Sequence, residues 1–349
     1  MTDIHKSVQN YYGQELQQSS DLKTDACCSK AEIPLFIKDI LKKIHPDVIA
    51  KYYGCGLVFP PKLEGCRVLD LGCGAGRDVY ILSNLVGHQG YVVGVDMTKE
   101  QLDIANRFID YHTKEFGFKM SNVEFHLGKI EQLTDNPNLK VNSFDVVVSN
   151  CVVNLSPDKK KVLQQVYEML KPGGEFYFSD VYADRSVPEE LRQNQILWGE
   201  CLSGAIRESD LISDALDIGF TRPILVTQQP ICINNQQLQD LLGDIKFTSC
   251  TYRLFKNKSI EDSIISDDKN GILVTYQTPI IHYENEFQFD QSIIFKFQNQ
   301  PQYVNEELTK MLRISRYNDN FKFEPVTHEN EIPKSTKQVS NCCCRQGTC

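Results

Sequence analysis

The sequence predicts an α/β fold, a doubly wound Rossmann-like parallel sheet followed by a smaller α+β C-terminal domain. Apolar strand segments alternate with helical segments from residue 67 to residue 179, which is typical of such a sheet. A glycine-rich turn follows the first of these strands, and an acid stands at the end of each of the first two. At 349 residues the chain exceeds one typical domain, so a catalytic domain with a smaller addition is expected.

The N-terminal part is polar and is predicted to begin as a helix over residues 5–18, within an N-terminal segment of residues 1–30 that contains Cys27. An amphipathic helix is predicted to begin at Pro34, followed by apolar residues at helical spacing. The sheet and its helices are expected to occupy residues 31–220 together with this helix.

The alternating segments define the elements of the sheet. Pro172-Gly173-Gly174 is expected to end the last of the alternating helices. A further helix over 188–205 is predicted to carry both Trp198 and Cys201. The predicted strands are 67–71, 91–96, 123–127, 145–149 and 175–179, and the predicted helices are 77–86, 99–116 and 158–170.

Beyond residue 220 the pattern changes to short β-like segments and one helix near residues 305–316, which predicts the smaller α+β domain over 221–330. Residues 331–349 are polar apart from their thiols and predict a disordered tail. The cysteines of this tail are Cys342, Cys343, Cys344 and Cys349.

Composition argues against several classes of protein. The net charge of -9 repels the phosphate backbone of nucleic acids. No apolar segment approaches the roughly twenty residues that span a bilayer, and the N-terminus has no apolar run typical of a signal peptide. Thirteen cysteines in 349 residues are too few for a disulfide scaffold, so reduced thiols and a cytoplasmic location are expected.

The glycine-rich turn predicts a nucleoside site. Asp70 opens a D-x-G-x-G-x-G pattern in which Gly72, Gly74 and Gly76 form the turn. A dinucleotide site requires a glycine at the position of Arg77, so that template fails. Asp96 ends the next strand, where a carboxylate can accept hydrogen bonds from both ribose hydroxyls. The pattern therefore indicates a nucleoside ligand without a pyrophosphate.

The ends of the next strands carry further candidates, because ligands of open α/β sheets bind beyond the carboxyl ends of the strands. Ile130 and Glu131 follow the third strand, where Ile130 is expected to cover an adenine and Glu131 to accept from its amino group. Asn150 and Cys151 follow the fourth strand and place a thiol at the mouth of the cleft.

The glycine-rich turn, with Asp70 before it and Asp96 after the next strand, resembles the donor-binding loop of class I methyltransferases, which bind S-adenosylmethionine. The segments YYGCG, SNCVVNL and WGECLSGA are more specific, and with DLGCGAGRD and LKPGGEFYFSDVYADR they resemble the arsenite S-adenosylmethionine methyltransferases, densely over residues 20–255. The resemblance implies arsenic-binding thiols at Cys55, Cys151 and Cys201, and a further catalytic cysteine at Cys27. The implied donor-binding residues are Tyr53, Asp70, Gly72, Gly74, Gly76, Arg77, Asp96, Met97, Ile130, Glu131 and Asn150.

The resemblance also implies the reaction. Arsenite and methylated trivalent arsenicals are the expected substrates, mono- and dimethylated arsenicals the expected products, and arsenic detoxification the expected role. Each transfer leaves pentavalent arsenic, and two electrons from a cysteine pair such as Cys27 with Cys55 return it to the trivalent state, with thioredoxin or glutathione as the reductant. No general base is required. The histidines are therefore expected to be structural or at the surface: His5, His45, His88, His112, His126, His282 and His328.

Two other functions remain open from the residues alone. A class I methyltransferase of another small metabolite would keep Asp70 and Asp96 but would not require the three thiols. A thiol-rich metal buffer is suggested mainly by the tail, although the adjacent cysteines 342–344 lack the C-x2-C spacing that suits zinc, and no structural metal is expected.

Overall fold

The computed structural model describes residues 3–16, 18, 21–24, 32–257 and 272–326. Cys27 and the predicted disordered tail lie outside the described residues. Within them, no helix is long and apolar enough to cross a membrane.

One seven-stranded sheet forms the centre of the molecule. Its strands in chain order are β1 Arg67–Leu71, β2 Tyr91–Asp96, β3 Val123–Leu127, β4 Phe144–Asn150, β5 Leu170–Ala183, β6 Ile224–Pro230 and β7 Phe247–Phe255. They pair in the order β3-β2-β1-β4-β5-β7-β6, and β7 is antiparallel to both of its neighbours. The doubly wound sheet predicted from the sequence is confirmed.

Helices cover the two faces of this sheet. The first part of the chain contributes α1 Asp3–Asn10, a π-helix Tyr11–Glu15, α2 Leu35–Leu41 and α3 Pro46–Ala50. The helices that follow are α4 Arg77–Val86, α5 Lys99–Arg107, α6 Ile109–Glu115, α7 Lys159–Met169, α8 Glu189–Arg192, α9 Gln195–Gly199, α10 Glu208–Ile218 and α11 Gln236–Leu242.

Alternation along the strands builds two hydrophobic cores. In β1, Leu69 and Leu71 join the core beneath α7 and α10, whereas Val68 joins the core beneath α2 and α4. In β4, Val147 and Val148 divide between the two cores in the same way. A strand that is buried on both faces reads as a continuous apolar segment, which is why these strands were recognisable from the sequence.

The sheet extends further along the chain than predicted. The sequence predicts a smaller domain after residue 220, but β6 and β7 hydrogen-bond to one another and β7 pairs with β5. This second pairing covers the whole of β7, from Glu175 opposite Phe255 to Ala183 opposite Phe247. A smaller unit follows, with strands β8 Ile272–Tyr276, β9 Glu286–Gln288, β10 Ile294–Lys296, β11 Gln302–Val304 and β12 Phe321–Pro325, and with helix α12 Glu306–Ile314.

Two predicted helices are broken in the structure. Residues 99–116 divide into α5 and α6 at Phe108, whose backbone leaves helical geometry while its ring stacks on His45. Residues 188–205 divide into α8 and α9 because the Asn194 side chain caps α9, accepting from the N–H groups of Ile196 and Leu197. Cys201 therefore lies just beyond α9 and not within a helix.

The segment Pro172-Gly173-Gly174 also differs from its predicted role. Helix α7 already ends at Met169, and this segment lies inside β5, where the register against β4 shifts. The N–H of Gly173 donates to the carbonyl oxygen of Lys256, and the N–H of Lys256 donates to the carbonyl oxygen of Gly174. The segment thus joins the start of β5 to the end of β7.

Candidate functional site

The carboxyl ends of β1 to β4 open into one pocket of about 950 Å³, including its open mouth. Every predicted donor-binding residue except Gly76 lines it: Tyr53, Asp70, Gly72, Gly74, Arg77, Asp96, Met97, Ile130, Glu131 and Asn150. Residues far apart in the chain meet here because parallel strands present all their carboxyl ends at one edge of the sheet.

Gly74 and Gly76 have different structural roles in the glycine-rich turn. Gly74 has a φ of 52° and donates its backbone N–H to Asp96 Oδ2 at 2.9 Å, which closes the floor of the pocket. Gly76 has a φ of 87°, and a Cβ atom there would lie 2.9 Å from the ring of Phe125. Gly76 does not line the pocket, and it allows α4 to pack closely on the sheet, so its contact with the donor stays a prediction.

Two carboxylates dominate the floor of the pocket. Burial raises the pKa of Asp70 well above its usual value, and the nearby Asp78 and Asp96 carboxylates raise it further. Burial also raises the pKa of Asp96, although the N–H groups of Thr98 and Gly74 oppose this by donating to its oxygens. Arg77 is already paired with Asp78 at 2.6 Å. A cationic ligand would relieve the repulsion between these acids.

Asn150 connects this pocket to the thiols. Its Oδ1 accepts hydrogen bonds from the N–H groups of Cys55 and Gly56, at 2.9 and 3.1 Å. Its Nδ2 donates to the Tyr52 hydroxyl and to Asp78 Oδ2. The amide is thus fully engaged, and it acts as a clamp that holds the Cys55 loop against the end of β4.

The N-terminal segment forms part of the pocket, which the sequence did not predict. His5 Nε2 lies 3.1 Å from Glu131 Oε1, and Gln9 donates to the carbonyl oxygen of Met97 at 2.6 Å. Gln101 donates to the carbonyl oxygen of Tyr12 at 2.8 Å. These partners are about ninety or more residues apart, and their contacts leave no local pattern in the sequence. His5 is therefore a pocket residue.

The three predicted thiols meet in one buried cluster. Cys55, Cys151 and Cys201 are at most 3% exposed. Cys151 and Cys201 have φ values of 58° and 63°, and Cys201 Sγ lies 3.2 Å from the carbonyl oxygen of Cys151. Cys151 lines the donor pocket as well. The thiol cluster and the donor pocket therefore share a wall.

A disulfide joins Cys55 to Cys151, with their Cα atoms 5.7 Å apart. The sequence suggested Cys27 as the partner of Cys55, but Cys27 lies outside the described residues, and the described partner is Cys151. The pairing follows from the Asn150 clamp, which brings the backbone of Cys55 to the carboxyl end of β4. Cys201 remains outside the disulfide.

One acid beside the thiols was not predicted. A carboxylate oxygen of Asp180 and the sulfurs of Cys151 and Cys201 lie within 4.8 Å of one another, and all three residues are buried. The backbone N–H groups of Asn154 and Val181 donate to its two oxygens at 2.9 and 2.8 Å. Burial raises the pKa of Asp180 to about 6, although these hydrogen bonds oppose the rise. Asp180 directly follows the predicted strand 175–179, and this position at a strand end was the sequence signal that could have identified it as a site residue.

Comparison with known proteins extends over most of the chain. The family described as "Methyltransferase domain" matches residues 62–245, and the family described as "Arsenite methyltransferase C-terminal domain" matches residues 269–348. The arsenite methyltransferase of Rattus norvegicus is 47% identical over 325 residues, 93% of this chain and 86% of the rat protein. That of Aquipseudomonas alcaligenes is 53% identical over 82% of each chain.

A solved structure agrees with these relatives. The crystal structure of an arsenic(III) S-adenosylmethionine methyltransferase from Chlamydomonas reinhardtii is similar to this one with a TM-score of 0.78 and 39% identity, over 84% of this chain and 97% of the algal chain. The fold, the two matching family models and the identity to the relatives all agree. The chain belongs to the family of S-adenosylmethionine-dependent arsenite methyltransferases.

Proposed function

We propose that this enzyme holds trivalent arsenic on the thiolates of Cys55, Cys151 and Cys201 and methylates it from the adjoining pocket. The observation that carries the proposal is the shared wall, since Cys151 belongs to the thiol cluster and also lines the donor pocket. Soft thiolates suit a soft, thiophilic centre. Three cysteine thiols can displace the three hydroxides of arsenite, and the thiol protons leave with the hydroxides as three water molecules.

The pocket fits S-adenosylmethionine, which when bound supplies a methyl group on a positively charged sulfur. The buried Asp70 and Asp96 carboxylates suit its positive charge. Among the described residues, the Tyr53 hydroxyl and the Gln101 amide oxygen are buried there, and they meet only each other's side chains without a hydrogen bond of full geometry. Such orphaned groups are costly unless a ligand satisfies them. Asp96 is assigned to the ribose hydroxyls, and Ile130 and Glu131 to the adenine.

The chain's own contribution to the chemistry is positioning. Arsenic on three thiolates keeps a lone pair, and this lone pair has to point through the shared wall toward the methyl group. Holding two reactants in line can supply a large part of a rate enhancement. Arsenic has no proton to lose, so no base is required. Leu155 and Val181 belong to the same buried apolar cluster as the thiols, and such apolar side chains keep water away.

The disulfide supports a route for the two electrons that each cycle needs. After transfer, arsenic is pentavalent. If the Cys55 and Cys151 sulfurs leave arsenic as a disulfide, arsenic gains two electrons, takes up hydroxide from a water molecule that releases a proton, and remains on Cys201 as a trivalent methylated product. Thioredoxin or glutathione then reduces the disulfide by thiol exchange and restores both ligands. Cys27 is proposed as a further thiol in this relay. Repetition yields mono- and dimethylated arsenicals, an activity suited to arsenic detoxification.

The test is a time course of arsenic species with purified protein, arsenite, S-adenosylmethionine and either thioredoxin or glutathione. Cys151→Ser and Cys201→Ser should each abolish all methylation, because a hydroxyl is a hard ligand for arsenic. Cys250→Ser is the matched control, since that thiol is buried but lies outside the cluster. Turnover of arsenite by Cys151→Ser at the parental rate would remove the thiol site from the proposal.

A further inference from the structure

Asp180 is a buried acid in a cluster whose other members are thiols. It lies within β5, near the carboxyl end of the strand, and is 1% exposed, and a carboxylate oxygen comes within 4.8 Å of the sulfurs of both Cys151 and Cys201. Cys55 lies on another side of the cluster, where its sulfur is 3.5 Å from the Ser179 hydroxyl. Asp180 is therefore a neighbour of both Cys151 and Cys201.

Asp180 has acceptor capacity that the protein does not use. An ionised carboxylate offers about four lone-pair sites. The N–H of Val153 also interacts with the carboxylate, and the N–H groups of Asn154 and Val181 take one site on each oxygen, so about one site remains for a ligand. These two bonds also fix the orientation of the carboxylate, because both donors belong to the backbone. An acceptor that is buried, oriented and unsaturated suits a hydroxyl group carried by a ligand on the two sulfurs.

Arsenite provides such a hydroxyl while it is being loaded. When two thiols react with As(OH)3, two As–S bonds form, two As–O bonds break, and the two thiol protons leave on the departing hydroxides as two water molecules. The arsenic that results carries two sulfurs and one hydroxyl. The Cys55 sulfur can bind this arsenic in a later step by replacing the remaining hydroxyl.

We infer that the Asp180 carboxylate accepts a hydrogen bond from the hydroxyl of arsenic bound to Cys151 and Cys201, and so favours inorganic arsenite over arsenicals whose third substituent is carbon. The inference rests on the proposed thiol site. It makes Asp180 a specificity-determining residue for the first methylation. An arsenical with one carbon substituent loses both hydroxyls to the two thiols, and it has nothing to donate to Asp180.

The test compares two probes in a full-length Cys55→Ser background, which leaves a two-thiol site. The probes are arsenite and a monophenylated trivalent arsenical. Fluorescence of the single tryptophan reports on the site, because Trp198 belongs to the same buried cluster as Cys151 and Cys201.

Adding Asp180→Asn should weaken arsenite binding by roughly tenfold or more, as expected for a lost hydrogen bond to a charged group, and leave the phenylarsenical unchanged. Unchanged binding of the phenyl probe also shows that the variant is folded. Asp180→Ser, whose hydroxyl can still accept from the backbone, is the second variant if Asp180→Asn does not fold.

The possible outcomes are distinct. An equal affinity ratio for the two probes with and without Asp180 overturns the inference. Loss of both probes in both variants also overturns it, because Asp180 would then only maintain the fold. Failure of the phenylarsenical to bind when Asp180 is intact would instead contradict the proposed thiol site itself.

Discussion

Asp96 supports the donor loop and also faces the donor pocket. Its two oxygens accept from the N–H groups of Gly74 and Thr98, and the proposed contact with the ribose would add to these hydrogen bonds. Asp96→Ala should weaken binding of S-adenosylmethionine at least about tenfold, because each hydrogen bond to a charged acceptor contributes roughly 1.5–3 kcal/mol. Calorimetry measures this directly.

Asp103→Ala is the matched control for this substitution. Asp103 lies on α5 as an exposed partner of Lys99, outside the pocket. Its replacement should leave donor affinity unchanged. Equal donor affinity for Asp96→Ala and the parent would show that Asp96 does not contact the ribose.

The buried surroundings of His112 favour the neutral form of its imidazole ring. It is 1% exposed and stacks on Tyr80, its Nδ1 lies 2.7 Å from the carbonyl oxygen of Phe108, and its Nε2 accepts from the N–H of His45. Burial lowers its pKa to about 4. The unfolded chain, with an ordinary pKa of about 6.5, therefore binds more protons between these values.

Stability is consequently lost as the pH falls from about 6.5 to about 4, by about 3 kcal/mol from this residue. Denaturant unfolding at several pH values measures the loss. His112→Gln, which cannot titrate, should lose less stability over that interval than the parent. His88→Gln at an exposed position should follow the parent. Parallel curves for the parent and His112→Gln would contradict the assignment.

At the scale of elements, the N-terminal segment from α1 to the π-helix closes one side of the pocket. Besides the contacts of Gln9, the Tyr12 hydroxyl donates to the carbonyl oxygen of Gly199 at 2.6 Å, which ties the segment to α9 beside the thiols. Tyr12 also packs edge-on against Tyr53 at 5.3 Å. This one element therefore contacts both halves of the site.

The double variant Gln9→Ala and Tyr12→Phe removes two of its hydrogen bonds and keeps the ring contact with Tyr53. At about 1 kcal/mol for each bond, donor affinity should fall roughly fivefold or more. Asn10→Ala is the control, because its exposed hydrogen bond to Glu15 stays within the segment. Donor affinity that is unaltered in the double variant would mean that the segment covers the pocket without stabilising the ligand.

Elements were predictable where their signal is local. The boundaries of β1 and α4 agree with prediction, since an apolar segment, a glycine turn and a helical period occur within twenty residues. Membership of β6 and β7 in the main sheet was not predictable, because it depends on pairing with β5 some seventy residues earlier in the chain. The break before α9 comes from the Asn194 cap, a local signal that the helical periodicity of the surrounding residues masks.

The same distinction applies to the site across the whole molecule. The donor residues were predictable because they follow strand ends, and the thiols because family motifs carry them. Asp180 stands in one of those motifs, yet its nearness to two sulfurs depends on how β5 and the α9 region pack. Pairing of Cys55 with Cys151 across 96 residues likewise depends on the Asn150 clamp.

At the scale of the whole molecule, one buried ion cluster joins the main sheet to the smaller C-terminal unit. Glu175 on β5 pairs with Arg253 on β7 at 2.6 Å and with Arg316, which follows α12. Arg253 also donates to the carbonyl oxygen of Phe289. Burial alone would raise the pKa of Glu175, but the two guanidinium groups outweigh it and hold the pKa below its usual range.

Glu175→Gln should therefore destabilise the protein by about 3–5 kcal/mol, because it leaves two buried guanidinium groups without a counter-charge. Denaturant unfolding followed by circular dichroism measures the loss. Asp217→Asn, which removes an exposed partner of Lys160, should change stability little. Because the cluster joins the two units, trypsin should also cleave the C-terminal unit of Glu175→Gln faster than that of the parent. A variant with parental stability and parental cleavage would mean that apolar packing around Phe255 and Tyr317 suffices to hold the units together.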